Sequence, residues 1–214
     1  MSRLSVIVPI ASWDKSWLSL VSDLVKLPDD VEIVFVACDK DNILRDSPPK
    51  IKELKGKSLR WVKSSSGYIR RVNAGIDAAV GDYLWILPPS SRFSNDTVSS
   101  LYDTLSVHPL PSMIYHWKIR FLNDSPALIF FIQWWEIIKS RLFKIPSCEF
   151  GICISREFIE EIGGIPEGKD SKEGWVLFAK NAKLYGASFL CTGGYLLSKG
   201  SKYRKNGIFR MWWS

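Results

Sequence analysis

The sequence predicts an α/β fold in which a mostly parallel central sheet is flanked by helices, and two observations support this prediction. Along the first half of the chain, short apolar runs of strand length alternate with helical patterns. One of these runs, Tyr83–Leu87, is apolar without interruption and follows a helical segment, as in a parallel strand that is covered on both faces. Ligands of such sheets bind outside the carboxyl ends of the strands. We therefore expect functional residues directly after Leu87.

The amino terminus contains the first β-α-β unit. Leu4–Ile10 is an apolar run that predicts a strand, and Ser12 and Asp14 are typical caps for a helix over Trp17–Lys26. Val31–Ala37 is rich in branched and aromatic residues, which favours a second buried strand. Two parallel strands joined by a helix follow from this pattern.

The next part of the chain repeats the alternation. Ile51–Lys57 predicts a short helix, and Leu59–Val62 predicts a third strand. Asn73–Val80 carries small apolar residues at helical spacing, and Gly81 is expected to end that helix before the strand at Tyr83. The resulting order β-α-β-α-β-α-β is typical of a nucleotide-binding α/β fold.

The second half of the chain is less regular. It predicts helices at Ser94–Leu105, Ala127–Phe143, Arg156–Ile162 and Trp175–Tyr185, and strands at Met113–Leu122, Gly151–Ser155 and Ala187–Cys191. With 214 residues, 46% of them apolar, the chain is long enough for one well-buried domain and short for two. We predict a single domain over residues 1–198 and a basic, aromatic C-terminal segment over residues 199–214.

Composition narrows the classes of function. The net charge of +7 favours anionic partners, but no RNA-binding signature, zinc finger or lysine block accompanies it, so nucleic acid is not expected as a partner. No apolar run reaches the roughly 18 residues of a spanning helix, and the amino terminus lacks the pattern of a signal peptide. The cysteines form no CxxC pair, which favours buried free thiols in the cytosol over zinc or disulfides; they are Cys38, Cys148, Cys153 and Cys191.

The segment 67–92, GYIRRVNAGIDAAVGDYLWILPPSSR, carries a resemblance to a known family. It resembles the family 2 glycosyltransferases, particularly a compact bacterial subgroup with the pattern G-R-A-R-Q-x-N-A-G, then A-x-G-D, then a strand ending in H-A-D-T. The positions that fit this pattern are Arg70, Asn73, Gly75, Gly81 and Asp82. The resemblance extends over nearly the whole chain and implies a GT-A fold.

The resemblance also implies an activity: transfer of a sugar from a nucleotide-diphosphate donor to an acceptor, with inversion. The residues that it assigns to donor binding are Pro9, Asp39, Arg70, Asn73, Ser90 and Ser91. For Asp39, a loop-capping role is the alternative.

Ser90 stands where the family has the aspartate that holds Mg²⁺ or Mn²⁺. Such a cation neutralises the departing diphosphate and prefers hard, charged oxygen ligands. A serine hydroxyl can contribute a ligand but brings no charge, so we predict that metal affinity falls unless another carboxylate moves in. We therefore assign no metal ligand, and Mg²⁺ or Mn²⁺ as a cofactor is the alternative.

The general base is altered as well. The family pattern E-D-W-D-L-x-x-R-x-x-x-x-G resembles the segment 173–177, in which Glu173 and Trp175 match and Gly174 replaces the expected base. Glu173 is the remaining candidate base, and a helix-start glutamate favoured by the helix dipole is the alternative. Glu149 and Trp175 are assigned to the acceptor side, with a solvated strand-edge acid as the alternative for Glu149.

Compared with the family pattern, this sequence keeps more of the basic residues than of the acidic ones. We predict that Arg70, Arg71 and the C-terminal Lys202 and Arg204 surround a diphosphate without metal, and an exposed basic tail is the alternative. Aromatic residues and cations in 130–144 favour peripheral contact with a membrane and a lipid-linked acceptor, whereas a core helix is the alternative.

Loss of acidic residues at 37–38, 90 and 174 motivates a second hypothesis of a different class. In it, the protein keeps the fold without catalysis and binds a nucleotide, a glycan or a partner protein.

Overall fold

The computed structural model of the chain describes residues 3–11, 15–38, 51–107, 110–122 and 151–199. Its strands are β1 Leu4–Ile10, β2 Glu32–Cys38, β3 Ser58–Ser64, β4 Tyr83–Ile86, β5 Met113–Leu122, β6 Ile152–Ser155 and β7 Ser188–Lys199. Its helices are α1 Trp17–Leu24, α2 Tyr68–Ala78, α3 Asn95–Val107, α4 Arg156–Glu161 and α5 Ser171–Leu184, with a short 3₁₀ turn at Lys52–Leu54.

The strands form one seven-stranded sheet in the order β3-β2-β1-β4-β6-β5-β7. The pairs β3-β2, β2-β1, β1-β4 and β5-β7 are parallel, and β6 is antiparallel to both of its neighbours. Val6 in the centre of β1 lies opposite Ile33 on one side and Trp85 on the other. The predicted α/β fold with a mostly parallel sheet is therefore confirmed.

Helices cover the two faces of the sheet, and this explains the unbroken apolar runs of β1 and β2. Alternate residues of β1 point to opposite faces: Val6 and Val8 join the core beneath α1 and α3, whereas Ile7 joins the core beneath α2, α4 and α5. All residues of β1 and of β2 are buried as a result.

Two helices begin earlier than the sequence predicted. Helix α2 starts at Tyr68, because Gly67 has a φ of 124° that turns the chain from β3 into the helix. Helix α5 starts at Ser171, because the side chain of Asp170 accepts a hydrogen bond from the Glu173 backbone N–H and caps the helix.

Strand β7 is longer than predicted, running past Cys191 to Lys199. Glycines at 193 and 194 break the expected alternation, and the pairing with β5 is irregular there. Gly194 is needed for close packing, since a Cβ atom would lie 2.9 Å from the Cα atom of Thr97 in α3. The local sequence pattern therefore predicts an end for β7 that is too early, and tertiary packing accompanies its continuation to Lys199.

Several predicted features lie outside the described residues: the helix at 127–143, Asp39, Glu149, Lys202 and Arg204. Within the described ranges, no helix has the length and apolarity required to span a bilayer. Cys38 and Cys153 are buried free thiols, as expected, but Cys191 is exposed.

Candidate functional site

The carboxyl edge of the sheet is the edge at which the parallel strands end, and the helices that join parallel strands begin there. Helix α2 connects β3 to β4 and therefore starts at this edge, as α5 does before β7. Contact between the two helix starts is close, because a Cβ atom on Gly174 would lie 3.1 Å from the Ile69 side chain. The first turns of α2 and α5 are thus brought together.

Arg70 lies in the first turn of α2, and its partner is Glu167 in the loop between α4 and α5. The Arg70 Nε is 3.0 Å from both carboxylate oxygens, and Nη2 is 2.9 Å from Oε2. Both side chains are about half exposed, at 50% and 54%. Hydrogen bonds from Arg70 hold the pKa of Glu167 below its usual value.

Asn73 holds the same loop from the next turn of α2. Its Nδ2 donates to the Ile165 carbonyl oxygen at 2.8 Å, and its Oδ1 accepts from the Ile165 N–H at 3.0 Å. The loop enters through Gly163 and Gly164, both of which have φ values near +78°. Asn73, predicted to position the donor, thus binds the protein's own backbone in this structure.

Glu173 lies in the first turn of α5, and its side chain is exposed. Its carboxylate accepts a hydrogen bond from the Lys169 N–H, while its own N–H is capped by Asp170 at 2.8 Å. The arrangement resembles a capping box, except that the Glu173 carboxylate reaches the N–H of Lys169, one residue before the cap Asp170. The geometry matches the helix-start alternative, and the role of general base stays a prediction.

Gly174 and Trp175 face inward from the same turn. A Cβ atom on Gly174 would lie 2.6 Å from the Pro166 carbonyl oxygen, so the close approach of the loop excludes an aspartate here without movement of that loop. Trp175 is buried, with its ring 5.4 Å from that of Phe178 in an edge-to-face arrangement. Its assignment to the acceptor side remains a prediction.

The segment after β4 is held tightly against the sheet. The Leu87 N–H donates to the Ile7 carbonyl oxygen at 2.9 Å, and the Ser91 N–H donates to that of Pro88 at 3.0 Å, which closes a turn. Ser91 is buried, whereas Ser90 is partly exposed. Pro9 is buried near the end of the neighbouring strand β1, opposite Val36 of β2.

A cluster of ion pairs and hydrogen bonds around Asp23 fixes the chain just after these serines. Asp23 of α1 is buried and bonds the Arg92 Nε at 2.5 Å, the Lys26 Nζ at 2.6 Å and the Phe93 N–H at 3.0 Å. Burial alone would raise the pKa of Asp23, but these hydrogen bonds together lower it. The backbone of Arg92 also pairs with Leu197 of β7, so the loop after β4 is tied to two elements.

The opposite, amino edge of the sheet carries a buried carboxylate with three partners. Glu32 is buried, and its Oε2 accepts from the Ser5 Oγ at 2.6 Å and from the Val80 N–H at 2.8 Å. Arg60 contacts its other oxygen at 3.3 Å. The Ser5 Oγ in turn accepts from the Gly81 N–H at 2.8 Å.

This network explains two of the residues on which the family resemblance rests. A Cβ atom on Gly81 would lie 2.6 Å from the Ser5 backbone nitrogen, so Gly81 serves close packing of α2 and β4 on β1. Asp82 accepts from the Arg3 N–H at 2.8 Å, at the start of β4 and away from the carboxyl edge. Gly81 and Asp82 are therefore structural residues.

Around the first turns of α2 and α5, the described residues do not fit a divalent cation. Ser90 and Ser91 offer neutral hydroxyls, Glu167 is paired with Arg70, and the carboxylates of Asp170 and Glu173 accept backbone N–H groups. Asp96 in the first turn of α3 is a single exposed carboxylate. Among all described residues, histidine, cysteine and acidic side chains nowhere form a group of three that could hold a metal ion.

Sequence reasoning named Arg70 and missed Glu167. The segment 163–168, GGIPEG, carried a signal, because a charged residue within a turn of glycines and proline is free to reach a neighbouring helix. Arg71, beside Arg70, is half-buried, and its Nε has no hydrogen-bond partner among the described residues.

No protein-family profile and no curated protein matches the sequence. Solved structures do match. The crystal structure of S. aureus TarS 1-349 in complex with UDP-GlcNAc aligns with a TM-score of 0.63 and 18% identity over 91% of this chain and 55% of TarS 1-349. The complex of TarS 1-349 with UDP gives a TM-score of 0.65 and 19% identity over 95% and 62%.

The mannosyltransferase PcManGT from Pyrobaculum calidifontis, in complex with GDP-Man and Mn²⁺, aligns with a TM-score of 0.68 and 15% identity. That alignment covers 92% of this chain and 56% of PcManGT. The chain therefore spans a little over half of the length of these proteins. At such identities the likeness is one of fold, and the fold of this chain is that of the GT-A glycosyltransferases.

Proposed function

We propose that the protein transfers a sugar from a nucleotide-diphosphate donor to an acceptor hydroxyl, with inversion at the anomeric carbon. The observation that carries the proposal is the GT-A fold, whose carboxyl edge brings the first turn of α2 close to the first turn of α5. Solved structures of this fold that hold UDP-GlcNAc or GDP-Man support the class of donor.

The donor would lie across the ends of β1, β2 and β4. Pro9 and Ser90 border this region from the ends of β1 and β4, and Arg70 supplies positive charge from α2. Ser91 shapes the turn beneath the donor through its backbone bond to Pro88. Asn73 would act indirectly, by holding the loop that carries Glu167.

Glu173 would remove the proton from the acceptor hydroxyl. The acceptor oxygen then attacks the anomeric carbon, the bond from that carbon to the diphosphate breaks, and the electron pair leaves with the diphosphate. Exposure of the Glu173 carboxylate leaves it open to an acceptor, although it must share the hydrogen bond from the Lys169 N–H.

A donor-hydrolysis and transfer assay over several nucleotide sugars tests the proposal, with Glu173→Gln as the informative variant. Glutamine preserves the capping bond from Lys169 but cannot accept a proton, so we expect a fall in kcat of about 100-fold or more, with little change in KM for the donor or in Tm. Equal turnover by wild type and variant would remove Glu173 from the mechanism. Absence of turnover with every donor would remove the activity.

The second candidate function is a noncatalytic one: binding of a nucleotide, a glycan or a partner protein on a retained GT-A fold. The packing at Gly174 favours it, because the usual position of the base is closed by the Pro166 carbonyl group. Nucleotide binding without turnover, unaffected by Glu173→Gln, is the result expected of this candidate.

Several assignments stay predictions. Asp39 on the donor, Glu149 on the acceptor side and the basic segment with Lys202 and Arg204 on the diphosphate all lie outside the described residues. The same holds for the separation of residues 199–214 from the domain, for a lipid-linked acceptor, and for a cytosolic location with membrane contact at 130–135.

A further inference from the structure

We propose that the donor's diphosphate binds without a divalent cation, and that Arg70 exchanges Glu167 for the diphosphate when the donor enters. The inference rests on the proposed function and concerns how the same site neutralises the negative charge of the diphosphate. It departs from PcManGT, whose complex contains Mn²⁺ with GDP-Man.

The first argument is the lack of free acidic ligands. A divalent cation on a diphosphate needs at least one protein carboxylate as a hard, charged oxygen ligand. Around the first turns of α2 and α5, each described carboxylate already has a partner: Arg70 for Glu167, the Glu173 N–H for Asp170 and the Lys169 N–H for Glu173. Binding a metal ion there would require breaking the ion pair or the helix cap.

The second argument is the geometry of Arg70. Glu167 occupies the edge of the guanidinium formed by Nε and Nη2, and Nη1 has no hydrogen-bond partner among the described residues. A guanidinium fork fits two phosphate oxygens as well as it fits two carboxylate oxygens. Since the pair is half exposed to water, its stabilisation is weak, and a diphosphate with at least two negative charges competes well with one carboxylate.

The third argument is how the loop is anchored. Asn73 binds Ile165 with two hydrogen bonds, two residues before Glu167, so the loop stays attached when the Glu167 side chain leaves. Release of Glu167 therefore exposes Arg70 without unfolding its surroundings.

The test is isothermal titration of UDP and of GDP into the full chain, in EDTA and in Mn²⁺. We expect equal affinities in the two buffers. Glu167→Gln removes the competing charge and should tighten binding in EDTA by about 3-fold to 10-fold, whereas Arg70→Gln should weaken it by about 10-fold or more. Arg70→Lys, which keeps the charge but loses the fork, should fall between wild type and Arg70→Gln.

Glu160→Gln is the matched control, because the Glu160 side chain is exposed and pairs with Arg156 at 3.4 Å near the amino edge. It should leave affinity unchanged. Binding only in Mn²⁺ would overturn the inference and leave the glycosyltransferase proposal standing. Metal-independent binding that neither Glu167→Gln nor Arg70→Gln alters would overturn the exchange. No binding of any nucleotide diphosphate, with or without metal, would overturn the proposed function itself.

Discussion

At the amino edge of the sheet, Glu32 is buried and bonded to a hydroxyl, a backbone amide and an arginine. At the carboxyl edge, Glu167 meets an arginine too, but both partners are half exposed and, within the described part of the chain, no further group joins them. Buried networks that lose one member leave unpaired polar groups, whereas exposed pairs are readily replaced by water. The comparison indicates that the Glu32 network stabilises the fold, whereas the Arg70–Glu167 pair contributes little to its stability.

The largest effect should come from the closest packing at the amino edge. Gly81→Ala places a methyl group 2.6 Å from the Ser5 backbone nitrogen, so we expect a loss of about 3 kcal/mol in the free energy of unfolding. Gly186→Ala is the control: at φ +81° with nothing within 4 Å, it should cost about 1 kcal/mol from backbone strain alone. Urea denaturation measures both, and equal costs would show that β1 moves to accommodate the methyl group.

The next largest effect on stability should come from removing the carboxylate of Glu32 at the amino edge, compared with removing that of Glu167 at the carboxyl edge. Glu32→Ala leaves the Ser5 hydroxyl and the Val80 amide without their acceptor, and we expect a loss of about 2 kcal/mol. Glu167→Ala should leave the unfolding midpoint unchanged, because its ion pair with Arg70 is exposed. If the two variants lost equal stability, the distinction between the edges would be wrong.

The smallest effect concerns the hydrogen-bond cluster around Asp23, which fixes the loop after β4. Because its partners lower the pKa of Asp23, the stabilisation is present above the usual aspartate pKa of about 3.9 and is lost as pH falls through the lower value of the folded state. Asp23→Asn should cost about 1.5 kcal/mol at neutral pH. The difference between wild type and variant should shrink below pH 4 in unfolding experiments, and a constant difference down to pH 2 would contradict the assignment.

Much of the fold could be predicted because strands covered on both faces have a simple signature. Leu4–Ile10 and Met113–Leu122 have the predicted bounds, since continuous burial or strict alternation fixes a strand locally. The end of β7 was missed because Gly193 and Gly194 look like a loop. They lie in a strand only because α3 packs on them.

The candidate site was less predictable for the same kind of reason. Arg70 and Ser90 could be located from their neighbours in the chain, as the first turn of a helix and the end of a strand. Glu167 could not, because it pairs with a residue 97 positions away, and no local pattern encodes which side chain a loop presents to a distant helix. Gly174 was read as the loss of a base, and the structure adds that the Pro166 carbonyl group occupies the space.

By itself the sequence determined the alternation of strands and helices and the shortage of acidic residues at the expected site, whose place after β4 stays a prediction. These depend on residue type and on spacing within a few turns. Only the tertiary structure decided that Glu32 is buried with Ser5 while Glu167 is exposed with Arg70. Whether a charge stabilises the fold or remains available for a ligand depends on its burial and its distant partners, and chain folding alone brings those together.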